Sequence, residues 1–164
     1  MNLGDSVKNF IKELIPYLVI LLVVVLLRSY VITPVSVNGP SMQNTLYTDD
    51  VMLLYKLGKL DRYDIVVLWH DNDKLIKRLM GLPGEKIRIE NGIVYVNDEE
   101  MKYFGTGTSF DFEEITLSDD EYFVMGDNHV DSLDSRYFGP VKRNDIIGTT
   151  NVIIFPFNHF GIVE

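Results

Sequence analysis

The strongest restriction on the fold of this chain is an uncharged run near its start, LIPYLVILLVVVLL, from Leu14 to Leu27. No polar stripe interrupts the run, which argues against a half-exposed core helix. Its fourteen residues fall short of the roughly 20 that a membrane-spanning helix needs. The charged end of Arg28 can reach the lipid headgroups, so that residues 14–32 would form a spanning helix of about 28 Å. The pattern predicts a transmembrane anchor over residues 14–32.

Two other interpretations of the run remain open, a buried core helix and the apolar part of a cleaved signal peptide. The chain contains no alanine, and no small-x-small cleavage pair follows the run, which favours an uncleaved anchor. Lys8, Lys12 and the amino terminus outnumber Arg28. The positive-inside rule therefore places residues 1–13 in the cytoplasm and the body, residues 33–164, outside it.

The body after Pro34 has short apolar or β-branched runs separated by turn signals. The clearest element is a hairpin in which the alternating runs Lys86–Glu90 and Ile93–Asn97 flank Asn91-Gly92. Residues 98–119 are predicted to be an inserted loop or small subdomain. The expected fold is mainly β, an antiparallel and partly barrel-like sheet domain. The other predicted strands are Val51–Tyr55, Ile65–Trp69, Tyr122–Met125 and Val152–Phe155.

Composition excludes several classes of protein. The chain has 164 residues, no cysteine and a net charge of −9. Without cysteine there is no disulfide scaffold, thiolate metal site or cysteine nucleophile, and the negative charge disfavours nucleic acid as a partner. The three histidines lack metal-ligand spacing, and no glycine-rich phosphate loop precedes a helix.

The segment Asn38-Gly39-Pro40-Ser41-Met42 is the first candidate for chemistry. Gly39 and Pro40 favour a bend that presents the Ser41 hydroxyl at a corner. Ser41 lies nine residues beyond Ile32, which an extended chain covers in at most about 30 Å. Ser41 is therefore expected near the membrane surface, although the pattern alone also fits a turn serine without a function.

The second candidate is Lys77 in the run Lys74–Met80. On a strand, Lys77 shares a face with Leu75 and Leu79. Burial of that face would lower the pKa of the lysine, and a neutral lysine amine is a competent general base for a serine hydroxyl. The alternative is a lysine that extends from a sheet edge into solvent.

Four segments in this order resemble the motifs of bacterial type I signal peptidases, the membrane-anchored serine proteases with a serine–lysine dyad. The motif of the nucleophile is matched by Ser41-Met42 and Thr45-Leu46, with Asn44 in place of the family's proline, and Arg62–Val67 resembles the strand that follows it. Lys77–Gly84 matches the motif that carries the catalytic lysine. The last motif is matched by Gly126–Asn128 and Asp131–Gly139, with His129 where the family usually has arginine. Together with the N-terminal anchor they cover most of the chain.

The resemblance implies that Ser41 is the nucleophile, that its backbone N–H donates to the oxyanion, and that Lys77 is the general base. It also implies that Ser132 orients the Lys77 amine and that Met42 contacts the substrate. Some members carry a serine where this chain has Gly39, so a second oxyanion donor is not identified. Four charged residues would support the site, Asp127, Asp134, Arg136 and Arg78.

The implied function is removal of signal peptides from secretory preproteins, with small residues preferred at the first and third positions before the cut. The implied partners are these preproteins, the lipid bilayer and a nearby secretion translocon, without metal, cofactor or nucleic acid.

Three alternative functions fit the sequence less well. A self-cleaving repressor-type protease would need a DNA-binding module in place of the apolar run. An inactive membrane-anchored scaffold would be expected to lose Ser41 or Lys77, and an unrelated anchored β-domain would not carry four ordered motifs.

Overall fold

The computed structural model describes residues 3–102 and 104–163. It begins with one long helix, α1, Leu3–Tyr30. The segment Phe10–Tyr30 of this helix has a mean hydropathy of 2.5, none of it is buried by the rest of the chain, and it is long and apolar enough to cross a membrane. The helix ends before the predicted anchor does, because Ile32 opens the first strand. The proline at position 34 explains this end, since it has no N–H to continue the helical hydrogen bonds and disfavours helical backbone at the residue before it.

The body contains twelve strands in the described residues, and all of the strand pairs are antiparallel. A short helix, α2, Ser135–Phe138, precedes the tenth strand. The strands are β1 Ile32–Ser36, β2 Val51–Tyr55, β3 Ile65–His70, β4 Asp73–Gly81, β5 Lys86–Glu90, β6 Ile93–Val96, β7 Glu99–Glu100, β8 Phe112–Thr116, β9 Glu121–Met125, β10 Val141–Lys142, β11 Ile146–Phe155 and β12 Gly161–Ile162.

The strands form two sheets. The larger has the order β1-β2-β11-β3-β4-β9-β10, with β12 paired to β11, and the smaller has the order β7-β6-β5-β8. The prediction of a mainly β, antiparallel fold after one apolar helix is confirmed. Within the described residues, however, both sheets are open and do not close into a barrel.

The smaller sheet is built on the predicted hairpin of β5 and β6. Its two turn residues, Asn91 and Gly92, have φ angles of 53° and 80°, as a two-residue hairpin turn with the right-handed strand twist requires. Residues 98–119 contribute β7 and β8 to this sheet. They supply its two outer strands, one on each side of the hairpin, and their status as an inserted subdomain stays a prediction.

The loop between β1 and β2 carries Ser41 and is fixed by apolar packing on both sides of it. Met42 and Leu46 are fully buried in the same cluster as Met52 and Ile153. Burial of side chains of this size stabilises the fold by about 1.5–3 kcal/mol each. The ends of the loop are joined by Val37, whose N–H donates to Asp50 O at 2.8 Å. Ser41 is thus held on a rigid corner of the larger sheet.

Candidate active site

Ser41 and Lys77 are in direct contact. Lys77 lies in β4, and its Nζ is 2.7 Å from the Ser41 Oγ in the turn after β1. The same Nζ donates to the carbonyl oxygen of Ile76 at 3.1 Å. Lys77 is only 2% exposed, because the strand is covered on the face that carries it. The fold therefore brings together the two residues that the resemblance paired.

Burial lowers the pKa of Lys77 from 10.5 to about 8, since the charged ammonium loses its hydration. Arg136 lowers this pKa further, and the carboxylates of Asp134 and Asp127 raise it. Each of these carboxylates is paired with an arginine, which weakens its attraction for the ammonium. A large fraction of Lys77 is therefore neutral near pH 8, and a neutral amine can accept the proton of the Ser41 hydroxyl.

The backbone around Ser41 is tied to the segment after β9. Asn128 N–H donates to Ser41 O at 3.0 Å, and its Nδ2 donates to Pro40 O at 3.3 Å. The Thr45 hydroxyl donates to an Asp127 carboxylate oxygen. Among the described residues, the Ser41 N–H has no hydrogen-bond acceptor. It is therefore free to donate to an oxyanion at the attacked carbonyl.

Arg78 follows Lys77 on β4 and points to the opposite face. Its Nε and Nη2 donate to the two carboxylate oxygens of Asp127 at 2.8 and 2.7 Å, and its Nη1 donates to Tyr63 O at 2.9 Å. The guanidinium carbon lies 4.0 Å from the ring centre of Phe104. The pair is fully buried, and a bidentate geometry of this kind fixes the relative position of β4 and the segment after β9.

Asp134 and Arg136 form a second buried ion pair, with Nε–Oδ1 and Nη2–Oδ2 distances of 2.8 and 2.6 Å. Asp134 Oδ2 also accepts the Gly126 N–H at 2.9 Å. Arg136 Nη1 donates to Ser109 Oγ and to His129 O. Three parts of the polypeptide are joined through this pair, which holds the last motif against the site.

Ser132 is buried, and in the part of the chain that the structure describes its hydroxyl has no hydrogen-bond partner. The bond to the Lys77 amine that the resemblance implies is therefore not formed in this conformation. The hydroxyl nevertheless lies close to Ser41. Ser132 Oγ and Ser41 O both pack against Gly126, so closely that a Cβ added to this glycine would overlap both atoms. The orienting role of Ser132 stays a prediction.

Replacing Gly126 with alanine is expected to lower kcat/KM by about 100-fold, because the added Cβ pushes the Ser41 backbone away and small displacements of a reacting group are costly. Steady-state cleavage of a synthetic peptide measures this effect. The matched control is Gly161→Ala, since a Cβ at Gly161 meets nothing within 4 Å. Equal rates for the two variants would contradict the close packing of Gly126 against Ser41.

A cavity of about 320 Å³ opens beside the two residues. Its walls are Pro34–Asn38, at the end of β1, and Lys74–Lys77, on β4, with Ser41 and Met42 between them. In the described residues neither wall has a strand partner on its outer side, because β9 covers β4 only along Arg78–Gly81 and β1 pairs only with β2. An extended peptide can therefore hydrogen-bond to either edge.

Met42 lines this cavity, although its side chain is only 1% exposed and packs in the core. Its predicted contact with substrate stays a prediction.

The sequence did not lead us to predict the wall formed by β1, because Ile32 was included in the predicted anchor. The β-branched residues at every second position, Thr33, Val35 and Val37, were the available signal. Among residues 3–102 and 104–163, no group of three or more His, Cys, Asp or Glu is arranged to hold a metal ion.

Comparison with known proteins places this geometry among peptidases. A family model described as "Signal peptidase, peptidase S26" matches residues 8–155. A signal peptidase I of Bacillus amyloliquefaciens is 34% identical over 152 residues, which cover 81% of this chain and 79% of the relative. Signal peptidase I S of Bacillus subtilis is 34% identical over an alignment of 172 positions. The alignment covers 93% of this chain and 94% of the relative.

A solved structure shows the same fold. The crystal structure of a signal peptidase I from Enterococcus faecalis superposes with a TM-score of 0.51 at 30% sequence identity. The match covers 56% of this chain and 97% of that one.

Proposed function

The chain belongs to the signal peptidase family, peptidase S26, and on that premise we propose that it removes N-terminal signal peptides from secreted preproteins by Ser41–Lys77 catalysis. As a member of this family it is a serine endopeptidase. The observation that carries the proposal is the 2.7 Å contact between Lys77 Nζ and Ser41 Oγ, made by a lysine whose pKa burial lowers to about 8.

In the proposed reaction the neutral Lys77 amine takes the proton of Ser41 as the serine oxygen attacks the scissile carbonyl. The Ser41 N–H donates to the resulting oxyanion. The Lys77 ammonium then protonates the leaving amine, which releases the mature protein and leaves the signal peptide as an ester of Ser41. Lys77 next deprotonates a water molecule that hydrolyses this ester. Ser132 is proposed to orient the amine during these steps.

We further propose that the cleavage site binds as an extended strand in the cavity between β1 and β4. Strand addition satisfies the backbone of the substrate. Alternate side chains of an extended peptide point to the same side, so the first and third residues before the cut would both face the Ser41 side of the cavity, next to Met42. A shallow cavity at both positions accounts for the proposed preference for small side chains.

The apolar helix α1 is proposed to anchor the protein in the bilayer as a single span. The positive charges at its start favour a cytoplasmic N-terminus, with the β-rich body and the dyad on the outer side. Preproteins arriving through a secretion translocon would present their cleavage sites on that side. This arrangement brings the dyad and the end of the signal peptide to the same surface of the membrane.

The pH dependence of cleavage tests the proposal. Only the neutral form of Lys77 accepts a proton, so kcat/KM should rise with pH and level off above the lysine pKa of about 8. At pH 6, two units lower, about one hundredth of the lysine is neutral, and the rate is expected to fall about 100-fold. The measurement is a pH–rate profile with a synthetic peptide that contains Ala-x-Ala.

Stability across the same pH range, followed by circular dichroism, is the control for unfolding. A rate that stays flat from pH 9 to pH 6 in the folded protein would contradict a lysine base.

A further inference from the structure

The membrane helix and the catalytic sheet are joined by a very short connection. Helix α1 ends at Tyr30 and strand β1 begins at Ile32, so only Val31 lies between them. The Val31 N–H still donates to Leu27 O at 2.9 Å, which continues the helical hydrogen-bond pattern up to the sheet. The conformation of this junction therefore sets the orientation of the body relative to the helix.

Lys56, the residue after β2, closes this junction from the side of the sheet. Its Nζ donates to Ser29 O at 2.9 Å and to Arg28 O at 3.4 Å. Its backbone N–H donates to Val31 O at 2.9 Å. Lys56 thus donates to three carbonyls at the junction, those of Arg28 and Ser29 in the helix through its side chain and that of Val31, just beyond the helix, through its main chain.

The chemistry of a helix end explains why a lysine fits here. The last carbonyls of a helix have no partner within the helix and carry partial negative charge, which an ammonium group stabilises. Carbonyls without a donor are most costly within the hydrocarbon, and donors at the end of a spanning helix satisfy the last of them. The Thr33 hydroxyl supplies a further donor to Arg28 O at 2.7 Å. In the described part of the chain, Lys56 forms no ion pair, so its ammonium is directed to the helix end.

The position of the dyad depends on the stiffness of this junction. The strand from Ile32 to Ser36 covers about 13 Å, and Ser41 lies beyond it. A tilt of about 20° at the junction moves the far end of the strand by about 4 Å, which exceeds the ~3.3 Å rise of one residue in an extended peptide. A loose junction would therefore present a different peptide bond of a membrane-held substrate to Ser41.

We propose that Lys56 is a positioning residue that fixes the catalytic body relative to the membrane helix, and so selects the bond of an embedded precursor that reaches Ser41. This inference rests on the proposed function, because it concerns substrates that are themselves held in the bilayer. It distinguishes two kinds of substrate. A soluble peptide reaches the dyad in any orientation of the body, whereas an embedded precursor does not.

The test compares the full chain and its Lys56→Met variant in lipid vesicles on two substrates with the same Ala-x-Ala site. One is a precursor whose signal segment spans the vesicle bilayer, and the other is a short soluble peptide. For the precursor we expect Lys56→Met to lower kcat/KM about tenfold and to add cuts at neighbouring bonds, read by mass. Cleavage of the soluble peptide should change by less than about twofold, as no reacting group is altered.

Lys59→Met is the matched control, because it removes the same charge from the same loop at a side chain that is 89% exposed. It should behave as the wild type does. Lys56→Arg, which keeps a charged donor, should restore most of the lost activity and the single cut. Equal precursor cleavage at one bond by Lys56→Met and Lys59→Met would overturn the inference, as would an equal loss on both substrates. If the wild type cleaves neither substrate, it is the proposed function that fails.

Discussion

Replacing Lys77 with methionine is expected to lower kcat by about 10⁴-fold or more, since loss of the base disables the nucleophile and such residues act as a unit. Methionine keeps the length and apolar body of the side chain in a position that is 2% exposed. The variant should therefore fold. Ser41→Ala is expected to lose activity to the same extent, and the double variant should be no worse than either single one. Single-turnover cleavage of a peptide measures all three.

Two further variants separate a base from a mere positive charge. Lys77→Arg retains a cation but cannot lose its proton near neutral pH, so it should be as inactive as the methionine variant. Lys142→Met removes an exposed lysine that pairs with Asp120 and should retain full activity. Substantial activity of Lys77→Arg at pH 8 would show that the charge of Lys77, and not its proton transfer, is required.

Removing Arg78 is expected to destabilise the body strongly. Arg78→Met leaves the carboxylate of Asp127 buried without its bidentate partner, and breaking a buried pair in this way costs about 3–5 kcal/mol. The free energy of unfolding in guanidinium chloride, measured in detergent, gives the effect. Activity should fall with it, because Asp127 also accepts the hydroxyl of Thr45 in the loop that carries Ser41.

The double variant Arg78→Met/Asp127→Leu is the control for the cause of that loss. It removes both charges, so no unpaired ion remains, and it should recover much of the stability lost by Arg78→Met. It should not recover activity to the same degree, because the bond from Thr45 is gone. The opposite result is a double variant with a clearly lower free energy of unfolding than Arg78→Met. It would show that the unpaired charge of Asp127 is not the cause of the lost stability.

The local elements of the fold could be predicted from the sequence where a short pattern determines them. The Asn91-Gly92 hairpin is such a case, because both turn residues need a positive φ that few other residue pairs adopt readily. The end of the anchor was harder to predict. Hydropathy continues through Val31 and Ile32, but Ile32 belongs to β1, which pairs with β2, and no local pattern contains that partner.

The burial of β4 shows a second limit of sequence reasoning. Alternation along the strand predicted that Lys77 shares a face with two leucines, and that face is buried. Arg78, on the opposite face, is buried to the same degree, because the strand is packed on both sides. A period of two identifies the two faces of a strand but does not say how many of them are covered.

The site itself could be predicted only with help from the family resemblance. Ser41 and Lys77 are 36 residues apart, and each alone fits a turn serine or an edge lysine. Their contact depends on the pairing of β1, β2, β11, β3 and β4 across the larger sheet, which is a property of the whole fold. The same holds for the link from Asn128 to Ser41, which no spacing in the sequence indicates.

The most direct test of the account is the mass of the products formed from a detergent- or lipid-embedded precursor with a single Ala-x-Ala site. Wild type, Ser41→Ala and Lys77→Met are compared at pH 9, where most of Lys77 is neutral. We expect one cut after the second alanine by the wild type and none by either variant. A folded wild type that makes no cut, or a cut that persists in Ser41→Ala, would contradict signal-peptide removal by Ser41 and Lys77.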